Sequence, residues 1–279
     1  MPVYRSKPNA LQALFSRSRV VIGVVHLPAL PGAPDYHGAG IDELVAVALD
    51  DAQRYARGGV QGIIVENHGD IPFAKPDDLG PETGAVMAVI CDRIRREVGL
   101  PIGVNVLANA ARHALAVALS GGAGFVRVNQ WANAYVANEG ILEGQAAVAT
   151  RYRAALRARA IRIFADVNVK HGAHAIVADR SLTELTRDLE FFDADAVIVT
   201  GTRTGEGVDL QELRSVRDAT SLPLLVGSGV TEDDVGAILG IADGVIVGSA
   251  LKEEGVWWTP VSEAKVRSFV QRVVDSRKG

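Results

Sequence analysis

The stretch Ile161–Ala175, IRIFADVNVKHGAHA, begins as an apolar run and ends in functional groups. A carboxylate (Asp166), an amide (Asn168), an ammonium (Lys170) and an imidazole (His171) follow one another within six positions. Side chains alternate faces along a strand, so Phe164, Asp166 and Asn168 share one face while Ala165 and Val167 share the other. An apolar strand whose last residues turn polar on one face suits a buried strand opening onto a ligand site.

The same form recurs along the chain. VVIGVVHL starts at Val20, VQGIIVEN at Val60, PIGVNVL at Pro101 and AGFVRVN at Ala123. DAVIVTG starts at Asp195, LPLLVGSG at Leu222 and ADGVIVGS at Ala242. Short apolar runs bounded by Gly, Asn or Pro read as fully buried strands. Helical patterns alternate with them. IDELVAVALDDAQRYARGG opens on acids and closes on Gly58-Gly59, and PETGAVMAVICDRIRREVG starts with Pro81 and stops at Gly99. SLTELTRDLEFF carries a capping box, Ser181 with Glu184 three residues on. Eight strand–helix pairs predict an α/β fold, a single (β/α)8 TIM barrel, in preference to an open doubly wound sheet. One domain over residues 1–279 is expected, with residues 1–19 as an N-terminal extension and a C-terminal helix in 260–279. No GxGxxG follows the first strand, which weakens a dinucleotide-binding reading.

Composition narrows the class. Hydrophobic residues make up 48% and charged residues 22%, which fits a folded protein and not a disordered one. Net charge is −4 with no basic block, so no nucleic-acid partner is expected. The single cysteine, Cys91, lies in a helical pattern and reads as core. MPVYRSKPNALQALF lacks the form of a signal peptide, and no run approaches about 20 apolar residues. A cytoplasmic protein without a transmembrane segment is the expectation.

In a (β/α)8 barrel the C-terminal strand ends form the active-site face. There the sequence places His26, Glu66-Asn67-His68, Asn105, Asn129, Asp166 with Asn168, and Thr200-Gly201. The opposite ends carry mostly Gly, Pro, Ala and Ser, apart from Arg162 and Asp195. Parity puts a polar cluster of Glu66, Asn105, Arg127, Asn129, Asp166 and Asn168 inside the upper barrel, with Arg127 a candidate partner for Glu66. Strands seven and eight end in VGSG and VGSA. Gly227, Ser228 and Gly229 with Gly248 and Ser249 would therefore bind phosphate through backbone N–H groups, aided by helices starting just behind them.

Other features are less specific. A metal site would draw on His26, Glu66 and Asp166, but no HExxH motif or close His pair supports one, and no cofactor is predicted. His171 and His174 are acid–base candidates. The loops LPALPGAPDYHGAG (27–40) and GTRTGEGVD (201–209), the latter with Thr202, Arg203 and Thr204, look like substrate covers. NEGILEGQAA, from Asn138, reads as a turn into the fourth helix. Trp257-Trp258 reads as packing, as a plug for the barrel, or as a contact with a second subunit in a homo-oligomer.

The stretches VVHLPALPGAP, ENHGDIPF, GPETGAVMA, GVNVLANA, RVNQWANAYVANEGILEG, ADVNVKHGAH, VTGTRTGEGVD and ADGVIVGSALKEEG, in this order, resemble the BtpA/SgcQ family. The resemblance runs from about His26 to Gly255. It implies a TIM barrel whose last loops are like those of phosphoribosylanthranilate-isomerase-type enzymes, and it links some members with photosystem I biogenesis. Ala108 and Ala110 stand where members often carry Arg and Asp, so this loop lacks those side chains for substrate contact.

The combined expectation is an enzyme for a small phosphorylated sugar or sugar-derived metabolite, working by acid–base chemistry: isomerisation, carbon–carbon cleavage or glycosidic cleavage. Glu66 or Asp166 would act as base, His171 as acid, and Lys170 or Arg127 would stabilise negative charge. His26, Asn105, Asn129, Asn168, Thr200 and Thr202 would contact substrate. The rivals are a non-catalytic assembly factor for membrane complexes and a phosphometabolite sensor.

Overall fold

Each apolar run forms a strand, because its β-branched side chains can bury both faces of a parallel sheet. The structure is a computed structural model and describes residues 7–201 and 207–276. After helix α1 (Ala10–Phe15) the chain runs β1 (Val20–His26), α2 (Ile41–Gly58), β2 (Gly62–Glu66), α3 (Pro81–Val98), β3 (Ile102–Asn105), α4 (Ala111–Gly121) and β4 (Phe125–Val128). A hairpin, β5 (Ala134–Ala137) and β6 (Gly140–Glu143), precedes α5 (Ala146–Ala155) and β7 (Arg162–Asn168). Then come α6 (Leu182–Phe191), β8 (Ala196–Thr200), α7 (Leu210–Ala219), β9 (Leu224–Gly227), α8 (Val235–Leu239), β10 (Gly244–Val247) and α9 (Glu263–Asp275). The sheet closes in the order β1-β10-β9-β8-β7-β4-β3-β2, all parallel, so β9 and β10 are the seventh and eighth barrel strands. That closure is the expected (β/α)8 barrel and excludes the open sheet.

The capping box at Ser181 forms in full: Ser181 Oγ accepts from the Glu184 N–H and Glu184 accepts from the Ser181 N–H. NEGILEG, however, is not a simple turn into a helix. It completes the β5–β6 hairpin, in which Tyr135 pairs with Leu142. The signal was the Asn138-Glu139-Gly140 turn between two short apolar runs, with Gly140 at φ 96° in the reversal.

Two cores flank the barrel wall. The larger lies between strands and helices and includes Cys91, whose thiol is pushed up to about 12 by burial. The smaller fills the barrel interior, where Phe125 stacks on Phe164 at 4.6 Å between ring centroids. A Cβ on Gly103 would stand 2.2 Å from the Phe125 ring, so glycine is required beside it. Helix α1 closes the lower end, with Phe15 edge-on to Phe125. Arg162 and Asp195, the two charged residues expected at that end, belong to its scaffold. Buried Asp195 accepts from the Ile163 N–H at 2.9 Å and from Arg153 at 3.2 Å, with Lys7 and Arg162 each 3.7 Å away.

A buried ion pair fastens the last turn of the fold to the first. Lys252 Nζ donates to Asp51 Oδ2, and Asp51 Oδ1 accepts from the Val261 N–H at 2.7 Å. The pair joins α2 to the segment that leads from β10 into α9. Removing one partner strands a charge in the interior. Lys252→Met is expected to lower unfolding free energy by about 3 kcal/mol, and adding Asp51→Leu should restore part of that loss. Urea denaturation of the single and double variants measures both. A Lys252→Met protein as stable as the native one contradicts the assignment.

Candidate functional site at the barrel mouth

Strand register sets the first part of the site. His26 lies beside Glu66, and Glu66 beside Asn105, at the upper ends of β1, β2 and β3. Glu66 is buried, so its charge must be met by donors. Asn105 Nδ2 donates to Oε2 at 2.6 Å and His68 Nδ1 to Oε1 at 3.0 Å; His26 Nε2 stands 3.8 Å from Oε1. Burial alone would raise the Glu66 pKa, but the His68 hydrogen bond and the attraction of His68 and Arg127 outweigh it and hold the carboxyl well below its usual range. Burial pushes the His26 imidazole down to about 3, so it is neutral around pH 7.

The second part lies on β4 and β7. Arg127 donates to both oxygens of Asp166, through Nε at 3.0 Å and Nη2 at 2.9 Å, and Asn129 Nδ2 adds a bond to Oδ2 at 3.2 Å. The expected Arg127–Glu66 pair is therefore replaced by an Arg127–Asp166 fork. The reason is adjacency: β4 pairs directly with β7, whereas β3 separates β4 from β2. Burial opposes the Arg127 charge, yet Asp166 and then Glu66 raise its pKa on balance. Asn105 Oδ1 and Asn129 Oδ1 are buried acceptors without a partner among the described residues.

Lys170 follows β7 and is half-buried. Burial and the repulsion of Arg127 lower its pKa against the pull of Glu66 and Asp166. His171 is exposed, with left-handed backbone at φ 62°. The hairpin anchors this turn, since Val136 and Ala173 exchange two backbone hydrogen bonds of 3.1 and 2.8 Å. His174 stacks on Tyr135 and hydrogen-bonds the Val169 carbonyl through Nε2 at 2.9 Å, which makes it a part of the turn. The pairing register of β7 with β8 shifts between Asp166 and Asn168, so strict alternation ends there. The Thr200 hydroxyl donates to the Asn168 carbonyl at 2.8 Å, and the Asn168 side chain makes no hydrogen bond to the cluster among the described residues. Thr202, with Arg203 and Thr204, lies outside the described residues.

The last two strands bring their glycine-rich ends against these groups. Ser228 and Gly229 both have left-handed φ, 77° and 72°. A Cβ on Gly248 would stand 2.8 Å from the His26 ring, and one on Gly227 would stand 3.6 Å from an Arg127 nitrogen. The two loops therefore border His26 and Arg127 directly. The helical elements behind them are short: α8 has five residues and the turn Ser249–Leu251 only three. Any anion binding here rests on loop N–H groups more than on helix dipoles, because few peptide dipoles are aligned.

Two neighbours were not anticipated in these roles. His68 joins His26 and Glu66, so one donor atom from each lies within 4.8 Å of the others. It takes the place expected of Asp166 in a metal-ligand group; Asp166 has both oxygens on Arg127. The parity of Glu66 and His68, two residues apart, was the available signal. Trp257 lies 4.6 Å from the His68 ring and 6.2 Å from the His26 ring, while Trp258 is exposed. No periodicity marks Trp257, which follows an irregular segment. Asn67 and Asp70 stitch the first three loops together: Asn67 accepts from the Leu107 N–H and donates to Asp70, which accepts from the Leu30 N–H.

No helix among the described residues is long and apolar enough to cross a membrane. The fold is shared with solved enzymes: orotidine 5'-phosphate decarboxylase from Pyrococcus horikoshii superposes with a TM-score of 0.56 at 15% identity, over 91% of this chain and 99% of that one. Closer likeness is found in sequence. A protein of Archaeoglobus fulgidus is 42% identical over 261 residues, 94% of this chain and 99% of its own. The photosystem I biogenesis protein BtpA of Synechocystis is 37% identical over 265 residues, 95% of this chain and 91% of its own. The model of the BtpA family matches residues 17–275. The chain belongs to the BtpA family.

Proposed function

We propose that this barrel is a cytoplasmic enzyme that acts on a small phosphorylated metabolite, of the sugar phosphate class, by proton transfer at its C-terminal mouth. The observation that carries this reading is the pair of unpartnered acceptors, Asn105 Oδ1 and Asn129 Oδ1, buried beside Glu66 and Asp166. A buried acceptor without a donor costs about 1–3 kcal/mol, a cost that substrate hydroxyl groups would remove. The phosphate would lie on the loops Gly227–Gly229 and Gly248–Ser249, and His26 and Thr200 would border the bound substrate.

Lys170 fits the proton-transfer role best, because burial and Arg127 draw its pKa down from the ordinary lysine value. Glu66 stays ionised as the anionic pole opposite it, and Arg127 stabilises developing negative charge. Asp166 acts through Arg127 by fixing the guanidinium plane. His171, exposed on the turn, would approach the substrate only from the solvent side. Isomerisation and bond cleavage next to a carbonyl both need such a set.

The name of the Synechocystis relative supports a second reading, an assembly factor for membrane complexes. Thermal unfolding separates the two. A ligand at about 100 times its Kd adds about 2.7 kcal/mol to native stability, so millimolar phosphate or ribose 5-phosphate should raise Tm, and Gly248→Asp should abolish the rise. A native protein indifferent to both ligands that pellets with membranes supports the assembly factor instead.

The lysine can be tested without a substrate. After reductive methylation with carbon-13, the Lys170 signal, assigned with Lys170→Arg, is expected to titrate below the ordinary lysine value of about 10.4. Asp166→Asn should lower it further, since that carboxylate pulls it up. Titration at or above the ordinary value removes Lys170 from the proton-transfer step.

A further inference from the structure

We propose that His26, Glu66 and His68 form a binding site for one divalent transition-metal ion of the zinc class at the mouth of the barrel. Glu66 Oε1 is the shared corner, 3.0 Å from His68 Nδ1 and 3.8 Å from His26 Nε2. In a tetrahedral site with bonds of about 2.0–2.2 Å, ligand atoms lie roughly 3.3–3.5 Å apart, a value bracketed by these two spacings. Two imidazoles and one carboxylate suit zinc and its neighbours better than calcium or magnesium, which prefer oxygen. Three protein ligands leave a fourth position for water or substrate, the pattern of catalytic and not of structural zinc.

Two further features fit a cation. The 3.8 Å gap between His26 Nε2 and Glu66 Oε1 is too long for a hydrogen bond, yet the two atoms converge. Glu66 Oε2 is held by Asn105 at 2.6 Å, which turns Oε1 alone toward the two rings and orients a monodentate ligand. Metal binding would replace the hydrogen bond between His68 and Glu66, with the His68 ring proton moving from Nδ1 to Nε2. Trp257 and Phe73, 4.6 and 5.9 Å from the His68 ring, form an apolar wall beside the ion. The Gly248 loop lies against His26 on another side, so an ion here would stand next to the proposed phosphate loops. The site itself does not depend on that assignment.

The test uses the full chain freed of metal by chelation and desalting. Zn²⁺ titrated calorimetrically should bind one equivalent, and Co²⁺ should give the intense visible bands of a four- or five-coordinate ion. His68→Ala and Glu66→Gln should each weaken Zn²⁺ binding at least tenfold, whereas exposed His37→Ala should leave it unchanged. A Co²⁺ spectrum indistinguishable from that of the aqueous ion overturns the proposal, whichever variants fold. So does native-like Zn²⁺ affinity in folded His68→Ala. Phosphate-induced thermal stabilisation of the metal-free protein is read separately, so loss of the metal site and loss of the phosphate site are distinguishable.

Discussion

The buried carboxylate of Glu66 governs the organisation of the barrel mouth. A charge taken out of water needs opposite charge or donors within contact distance. Here the closed parallel sheet supplies donors by register: Asn105 from one neighbouring strand and His68 two residues further along its own, with His26 beside Glu66 on the other. Each of these is held in turn. Asn105 keeps an acceptor turned to the interior, and His26 is squeezed by the Gly248 loop. The Arg127–Asp166 fork is a second solution of the same problem one strand further round, tied to the first by the attraction between Arg127 and Glu66. The polar groups of the mouth are buried, a condition in which electrostatic effects on a bound ligand are large.

That arrangement places positive and negative groups in a defined order around the rim. Glu66 with its two histidines and Asn105 occupies β1 to β3, the guanidinium–carboxylate fork occupies β4 and β7, and the glycine loops of β9 and β10 lie further round the ring. A ligand spanning the mouth would meet a hydroxyl-accepting amide on one side and backbone N–H groups on the other. The lower end of the barrel has none of this. Phe15 plugs it, and its charges are spent on fastening Asp195.

Much of this is legible in the sequence because burial and parity are strong constraints on a parallel strand. All eight barrel strands follow from their apolar runs, and the inward positions of Glu66, Arg127 and Asp166 follow from counting by two. Partner choice is less legible. Arg127 bonds Asp166 because β7 pairs directly with β4, whereas β3 lies between Arg127 and Glu66. The hairpin was obscured because one of its strands, GILE, carries only half-buried or exposed residues apart from Leu142. Trp257 reaches the two histidines from an irregular segment after β10, where no period exists to be read. Beyond Asp166 the shifted register makes parity an unsafe guide for Asn168.

The central claim is that the C-terminal mouth is one ligand site, with an anion-binding half on the last two strands and a proton-transfer half on the others. A crystal structure of the protein grown in saturating inorganic phosphate tests it most directly. The account predicts an anion held by backbone N–H groups of the Ser228–Gly229 and Gly248–Ser249 loops, on the inner side facing Arg127. Loops that stay free of anion at saturation, or a phosphate bound only on the helical surface, would contradict it.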